Sequence, residues 1–179
     1  MSTTIPAGQP LRLDLACGTA KKPGFFGVDI VATSHTDLVL DLTSSPWPFA
    51  SGSVVEVHCA HFFEHLSGAQ RIVFMRELQR VLVAGGTATI VVPYARSDGA
   101  IQDPTHQWPP LTENSFSYFN AAARRSMGVE HYAIDCDFDF VVDLVLAAEW
   151  QQRSPAERMS AVRHFWNVAS ELIVHLTRR

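Results

Sequence analysis

The stretch that decides the fold runs from Leu11 to Asp29 and reads Leu-Arg-Leu-Asp-Leu-Ala-Cys-Gly-Thr-Ala-Lys-Lys-Pro-Gly-Phe-Phe-Gly-Val-Asp. An apolar segment that alternates with polar residues ends in small residues at 16–18, and a second short apolar run ends in the carboxylate of Asp29. In α/β sheets, ligands bind at the carboxyl ends of strands, where small residues let the backbone approach and a carboxylate can hold a ribose diol. The stretch therefore predicts a site for a nucleoside-containing cofactor.

Composition is that of one globular domain. The chain has 179 residues, 47% hydrophobic and 18% charged, which predicts a single domain over 11–179 after a flexible N-terminus, 1–10. The net charge of -4 without a basic stripe makes a nucleic-acid partner unlikely. No apolar run reaches the roughly 18 residues of a membrane span. Three widely separated cysteines predict reduced thiols in a cytoplasmic protein; they are Cys17, Cys59 and Cys136.

Strand and helix signals alternate along the chain. Apolar and β-branched runs predict strands at 11–16, 26–30, 37–42, 54–60 and 87–92, and two more near 130–136 and 138–147. A capping box at 67–70 opens a helix that should end at Gly85-Gly86, and Thr112 should open a helix to about Arg125. This order predicts an α/β, doubly wound, Rossmann-like sheet of seven mostly parallel strands.

The C-terminal region has a strong helix start. Ser154-Pro155-Ala156-Glu157 combines a capping box with proline at the first helical position. Apolar residues then recur three and four apart, which predicts one long C-terminal helix with an apolar seam. The seam consists of Met159, Val162, Trp166, Ala169, Ile173 and Leu176.

The helices of the first half are reduced. Only nine residues, 17–25, join the first two strands, and they include Pro23 and Gly24. A parallel crossover with a helix takes at least about ten to twelve residues, so no full helix fits. Three sources of cover for the early strands stay open: the C-terminal helix, a second subunit in a homodimer, or the aromatic residues Phe25, Phe26, Trp47 and Phe49.

Four segments in order carry a family resemblance. They are Leu13-Asp14-Leu15-Ala16-Cys17-Gly18, Pro23-Gly24-Phe25-Phe26-Gly27-Val28-Asp29, His61-Phe62-Phe63-Glu64-His65-Leu66 and the stretch from Leu78 to Thr87. Through them the chain resembles class I S-adenosylmethionine-dependent methyltransferases. More narrowly, it resembles a small group with Leu-x-Leu-Gly-Cys-Gly, Pro-Gly-x-x-x-Val-Asp, His-x-x-Glu-His-Leu and Arg-Val-Leu-x-Pro-Gly-Gly segments. The resemblance covers about residues 11–125.

The resemblance implies S-adenosylmethionine as cofactor and methyl transfer as activity. Backbone at 16–18 would approach the methionyl part, and Asp14 would face its ammonium directly or through water. Asp29 would accept both ribose hydroxyls, the adenine edge would lie at 41–42, and His61 would lie near the sulfonium. The implied cofactor-binding residues are Asp14, Ala16, Cys17, Gly18, Asp29, Ile30, Asp41, Leu42 and His61.

The glycine pattern of that family is eroded. Its Gly-x-Gly-x-Gly positions read Ala16, Gly18 and Ala20 here, and alanine at 16 suits the turn only if its φ is negative. Two alternatives therefore stay open: a non-catalytic S-adenosylmethionine-binding structural or regulatory protein, and a plain tight turn after a core strand. A nicotinamide dehydrogenase is disfavoured, because it needs Gly-x-Gly-x-x-Gly and a crossover helix.

Two histidine-containing segments are candidates for chemistry. His61-x-x-Glu64-His65 also spells a zinc-peptidase motif, but only about one helical turn separates it from the cap at Ser67, so no metal site is predicted. We favour the simpler interpretation that Glu64 or His65 forms hydrogen bonds to neighbouring loops.

The second segment is Asp103-Pro-Thr-His106, in a long loop that the resemblance places beside the acceptor pocket. If the acceptor arrives protonated, His106 is the first candidate for its base and His61 the second. The alternative is that Asp103 and His106 only brace the loop. The acidic net charge favours a small molecule or sugar as acceptor.

Overall fold

The computed structural model describes Ile5 and residues 10–179. The predicted flexible N-terminus, 1–10, otherwise lies outside the described residues. The strands are β1 (Leu11–Leu15), β2 (Phe26–Asp29), β3 (Leu38–Val39), β4 (Val54–Ala60), β5 (Leu82–Pro93), β6 (Phe138–Leu146) and β7 (Ala169–Arg178). The α-helices are α1 (Gly68–Val81), α2 (Asp98–Ile101), α3 (Ala121–Met127), α4 (Ala148–Gln151) and α5 (Pro155–His164), and 3-10 turns span Phe63–His65 and Glu113–Phe119.

All seven strands form one sheet in the order β3-β2-β1-β4-β5-β7-β6. The first five are parallel, and β7 runs antiparallel to both β5 and β6. This confirms the predicted Rossmann-like, mostly parallel seven-stranded sheet. The chain reverses its direction of winding between β1 and β4, and ligands of such sheets bind outside the carboxyl ends of the strands at that point.

One face of the sheet carries the core. Side chains of β1, β4, β5 and β7 that point to this face are fully buried against α1, whose Phe74 and Leu78 are also buried. Trp47 and Phe49, from the loop before β4, are 2% and 3% exposed and belong to the same cluster. The Trp47 and Phe74 rings meet edge to face at 5.3 Å. Aromatic residues of the chain's own loop therefore supply cover where helices are reduced.

The opposite face is polar. Adjacent strands place Arg12, Glu56, Thr87, Thr177 and Asp139 in one row across the sheet. Each of them is at least partly exposed, and Arg12 pairs with Glu56 at 2.9 Å. Alternation of buried apolar and exposed polar residues lets a sheet keep one face in water. Among the described strands, these polar side chains explain why the sheet does not need a second complete layer of helices.

The predicted long C-terminal helix is wrong. The capping box is confirmed, since Ser154 Oγ accepts from Glu157 N–H and Pro155 opens the helix, but α5 ends at His164. Residues Ala169–Arg178 form β7, where Leu172, Val174 and Leu176 are buried while His175 and Thr177 are exposed. The apolar spacing there follows a period of two, and pairing with β5 and β6 fixes it as a strand.

Several other elements differ from their predicted bounds. The Ser67–Gln70 capping box is confirmed, but α1 ends at Val81 and Gly85-Gly86 lie within the first residues of β5. The strand predicted near 130–136 is wrong, because this segment consists of turns and irregular backbone between α3 and β6. The helix expected from Thr112 is instead a 3-10 turn followed by α3. None of the described helices is long and apolar enough to cross a membrane.

Candidate active site

The turn after β1 has left-handed backbone at two positions. Ala16 has φ +55° and Gly18 has φ +54°. The condition under which alanine suits position 16, a negative φ, is therefore not met. Left-handed backbone costs an L-residue about 1–2 kcal/mol, whereas glycine adopts it freely. The fold holds Ala16 in a conformation that its own side chain disfavours.

Asp29 at the end of β2 is joined to this turn. Its Oδ2 accepts the Gly18 N–H at 2.8 Å, and its Oδ1 accepts the Val31 N–H at 2.9 Å. Each carboxylate oxygen has two acceptor directions, so each keeps one for a further donor. Ile30 and Val31, which follow it, are 64% and 59% exposed. The site thus combines a fixed carboxylate with exposed apolar side chains.

Asp14 fastens the turn to the sheet. Its side chain is 5% exposed; Oδ2 accepts the Lys22 N–H at 2.7 Å and Oδ1 lies 2.8 Å from His58 Nδ1. Both oxygens are engaged within the chain. The carboxylate therefore links β1 to the loop that follows it and to β4, and little of it is open to a ligand.

The loops around Gly27 are closely packed. A Cβ at Gly27 would lie 2.3 Å from His35 O and 2.6 Å from Lys21 Cδ. Gly27 N–H and Lys21 Nζ both donate to Asp37 Oδ2, at 2.7 and 2.6 Å. Burial alone would raise the pKa of Asp37, but these donors outweigh it and lower that pKa. Sequence reasoning missed this use of Gly27 and Asp37, although Gly27 lies within the quoted Pro23–Asp29 segment.

Cys17 and the residues after β3 complete this side of the site. Cys17 is buried, and burial together with the charges of Asp14 and Asp29 raises the pKa of its thiol. The Thr43 hydroxyl and backbone N–H both donate to Asp41 Oδ1, at 2.7 and 2.9 Å, and lower the pKa of that exposed carboxyl. The neighbouring Leu42 is 3% exposed.

His61 lies at the carboxyl end of β4 with a left-handed backbone. Its φ is +54°, and its N–H donates to Val91 O at 2.9 Å. The ring is 52% exposed, with Nε2 3.3 Å from Glu171 Oε1 and Nδ1 3.6 Å from Glu64 Oε1. The structure therefore places His61 between two carboxylates at the edge of the site.

His106 and His65 meet across two loops. Their ring centroids are 4.8 Å apart, edge to face. His65 Nδ1 lies 2.9 Å from Thr105 Oγ1, and His106 Nδ1 lies 3.2 Å from Ala100 O. Asp103 accepts the N–H and hydroxyl of Thr105, and these bonds lower its pKa. Glu64, next to His65, is buried, and burial raises its pKa.

A concavity of about 760 Å³ lies between β6, α5 and the segments that follow β5. Tyr94 and Glu113 line it together with Val142 of β6 and Met159 of α5. Trp108, in the loop after β5, is 82% exposed and is not among the lining residues. The Asp29 turn does not line this concavity, so the described chain separates the two candidate regions.

Comparisons with known proteins agree on the fold. No family model and no curated protein matches this chain. A solved S-adenosylmethionine-dependent methyltransferase from Archaeoglobus fulgidus is similar, with a TM-score of 0.68 and 14% identity over 96% of this chain and 87% of that one. A putative methyltransferase solved with the Trm112 activator of Haloferax volcanii gives 0.55 and 16%, over 94% and 82%. The cyclase SpnF gives 0.57 and 14%, over 96% and 76%. The chain therefore has the fold of S-adenosylmethionine-dependent methyltransferases, which also hosts a cyclase.

Proposed function

We propose that this protein binds S-adenosylmethionine and transfers its methyl group to a small molecule or sugar. The observation that carries the proposal is the left-handed turn at 16–18, whose Gly18 N–H is bonded to Asp29 at the carboxyl end of the neighbouring strand. Gly18 follows β1, one of the two strands between which the winding of the sheet reverses, and open α/β sheets bind nucleotides at that point. The methyltransferases among the solved structures of the same fold support the proposal.

Each residue of the turn has a proposed task. The backbone at 16–18, Cys17 included, approaches the methionyl part, and the free acceptor directions of Asp29 hold the ribose hydroxyls. Ile30 offers an exposed apolar side chain for the adenine ring, with Asp41 and Leu42 at its edge. Because Asp14 is buried and engaged, we assign it to holding the loop rather than to direct contact with the ammonium.

The chemistry asks little of the protein beyond alignment. The sulfonium is already an activated methyl donor, so the site must bring acceptor, methyl and sulfur into line and exclude water. A base is needed only where the acceptor oxygen or nitrogen arrives protonated. His106 and His61 are our candidates for it, and loss of turnover in His61→Gln or His106→Gln with unchanged cofactor affinity would identify which one acts.

Calorimetric titration with S-adenosylmethionine and S-adenosylhomocysteine tests the proposal. Asp29→Ala should weaken binding by about 1.5–3 kcal/mol, or roughly 10- to 150-fold, because charge-assisted hydrogen bonds are lost. The matched control is Asp139→Ala, an exposed carboxylate on β6 whose described partner is Arg179, and it should bind like the wild type. No binding by the wild-type protein at millimolar cofactor would end the proposal.

A turnover assay separates catalysis from binding alone. The protein should release S-adenosylhomocysteine when a panel of small alcohols, amines and sugars is supplied with cofactor. Tight cofactor binding with no release on any acceptor would instead support the non-catalytic alternative.

A further inference from the structure

A second cluster of reactive side chains lies where the turn after β4 meets the loop after β5. One ligand-type atom from each of Glu64, His65 and His106 lies within 4.8 Å of the others. Glu64 and His65 belong to the 3-10 turn Phe63–His65, whereas His106 follows β5. Only the folded chain brings the three together.

The carboxylate of Glu64 has no ordinary explanation. Its side chain is 7% exposed, and neither oxygen has a hydrogen-bond partner among the described residues. The ring nitrogen of His61 lies 3.6 Å away, beyond hydrogen-bonding distance. Leaving a buried carboxylate unpaired is costly, and native proteins pair such groups with donors, water or ions. This carboxylate, directed toward two imidazoles, points to a cation.

The nearby guanidinium is committed elsewhere. Arg71 is buried and donates to four backbone carbonyls, those of Phe63, Glu64, Gln107 and Pro109, at 2.9–3.4 Å. The Gln107 N–H also donates to Glu64 O at 2.9 Å. These bonds hold the turn and the loop against each other, so the cluster is formed before any ligand arrives.

Hydrogen bonds also fix the two histidine tautomers. The Thr105 hydroxyl donates to Asp103 at 2.7 Å. It can then only accept at 2.9 Å from His65 Nδ1, which must carry the proton. His106 Nδ1 faces Ala100 O at 3.2 Å, and a carbonyl only accepts. Both imidazoles are therefore set with Nδ1 protonated and the lone pair on Nε2, an arrangement that is common for metal ligands.

We propose that Glu64, His65 and His106 bind a divalent first-row transition-metal cation such as Zn²⁺, Mn²⁺ or Co²⁺. Two imidazoles and a carboxylate suit such ions better than Mg²⁺ or Ca²⁺, which prefer oxygen donors. Three protein ligands leave coordination positions open for water or for an oxygen of a substrate. The Asp103–Thr105–His65 chain acts as the supporting hydrogen-bond relay.

This site differs from the zinc-peptidase arrangement that the sequence disfavoured. That motif needs His61 and His65 on one helix face, whereas the cluster uses Glu64 and His65 with the distant His106. It also competes with the general-base prediction, because a metal on His106 Nε2 occupies the lone pair that would take the acceptor's proton. The metal site stands without the proposed methyl transfer, since it rests on contacts that involve no cofactor.

Titration calorimetry of the chelator-treated full-length protein tests the site. Wild-type protein should bind one equivalent of Zn²⁺ or Co²⁺ with at least tenfold higher affinity than Mg²⁺, and bound Co²⁺ should show ligand-field absorption bands. Glu64→Gln and His106→Gln should each weaken binding by at least 10- to 100-fold. His164→Gln is the matched control, because this exposed histidine on α5 bonds only Ser160 O within the described chain, and it should bind metal normally.

Thermal unfolding keeps the test decisive if a variant folds poorly. Zn²⁺ should raise the unfolding midpoint of the wild type and raise that of Glu64→Gln much less. Without metal, Glu64→Gln should unfold near the wild-type midpoint, because the substitution keeps the side-chain volume and removes no described side-chain hydrogen bond. Absence of stoichiometric binding by the wild type, or wild-type affinity in both ligand variants, would overturn the site. S-adenosylmethionine titrated into the wild-type protein keeps the two proposals apart: cofactor binding without metal binding refutes only the metal site, and metal binding without cofactor binding refutes only the proposed function.

Discussion

Replacing Ala16 with glycine should stabilise the protein, although glycine substitutions usually do the opposite. Ala16 has φ +55°, which costs an L-residue about 1–2 kcal/mol. Glycine removes that cost but adds about 0.4–1 kcal/mol of freedom to the unfolded chain. The net gain for Ala16→Gly is about 0.5–1 kcal/mol. For a chain of this length that raises the unfolding midpoint by about 1–4 °C.

Ala20→Gly is the matched control, because it makes the same change in the same turn. Ala20 is exposed and has no left-handed backbone, so only the entropic cost applies and stability should fall by about 0.4–1 kcal/mol. Urea and thermal unfolding of both variants measure the difference in sign. If Ala16→Gly is destabilised as much as Ala20→Gly, the turn is not strained in solution and our account of it is wrong.

Three further predictions concern packing and charge. Gly27→Ala should lower the free energy of unfolding by about 1–3 kcal/mol and weaken cofactor binding, because its Cβ would lie 2.3 Å from His35 O. Gly68→Ala is the control: it has open space around its Cβ and should be neutral or stabilising in the same urea unfolding measurement. Burial would raise the pKa of Glu77, but donors from Arg80 and the Trp47 N–H lower it below its usual 4.5. Its contribution to stability is therefore full above that value and is lost as pH falls through the lower folded pKa. Glu77→Gln should be less stable at pH 7 and flatten the loss of stability as pH falls below 4.5, and unchanged pH dependence would contradict this. The thiols are buried, and Cys136 has its pKa raised by burial to about 11, so a thiol reagent at pH 8 should label them fully only in denaturant; rapid native labelling would show that they are accessible.

The local parts of the fold could be predicted from sequence. The β-branched run Val54–Ala60 is a strand with those bounds, and both serine capping boxes form. β7 could not be predicted this way, because its apolar residues fit two patterns: positions 169, 173 and 176 follow helical spacing, whereas 172, 174 and 176 alternate as in a strand. The strand is selected by pairing between residues far apart in sequence, such as Thr87 with Thr177. No local sequence pattern indicates such a pairing.

The same distinction applies to the candidate site. The proximity of Asp29 and Gly18 could be predicted from the sequence, because Asp29 ends β2 and Gly18 lies in the turn after the neighbouring strand β1. The engagement of Asp14 by His58 depends on the β1–β4 register. The proximity of Glu64 and His106 depends on Arg71, which donates hydrogen bonds to backbone carbonyls of both segments. These contacts are set by tertiary packing. Residue type alone therefore did not show that these side chains are already hydrogen-bonded or enclosed within the fold.

The short loops change how the turns at the carboxyl ends of β1 and β2, our proposed cofactor site, are stabilised. With no crossover helix after β1, three carboxylates each accept a backbone N–H instead: Asp14 from Lys22, Asp29 from Gly18 and Asp37 from Gly27. Each oxygen of Asp29 keeps a free acceptor direction, in a partly exposed position beside Ile30. The proposed cofactor, if it binds there, would contact Asp29 and Gly18 together and so restrain the bond that holds the turn. We therefore expect cofactor affinity and turn stability to be coupled, so that a substitution that loosens the loop weakens binding without touching the ligand.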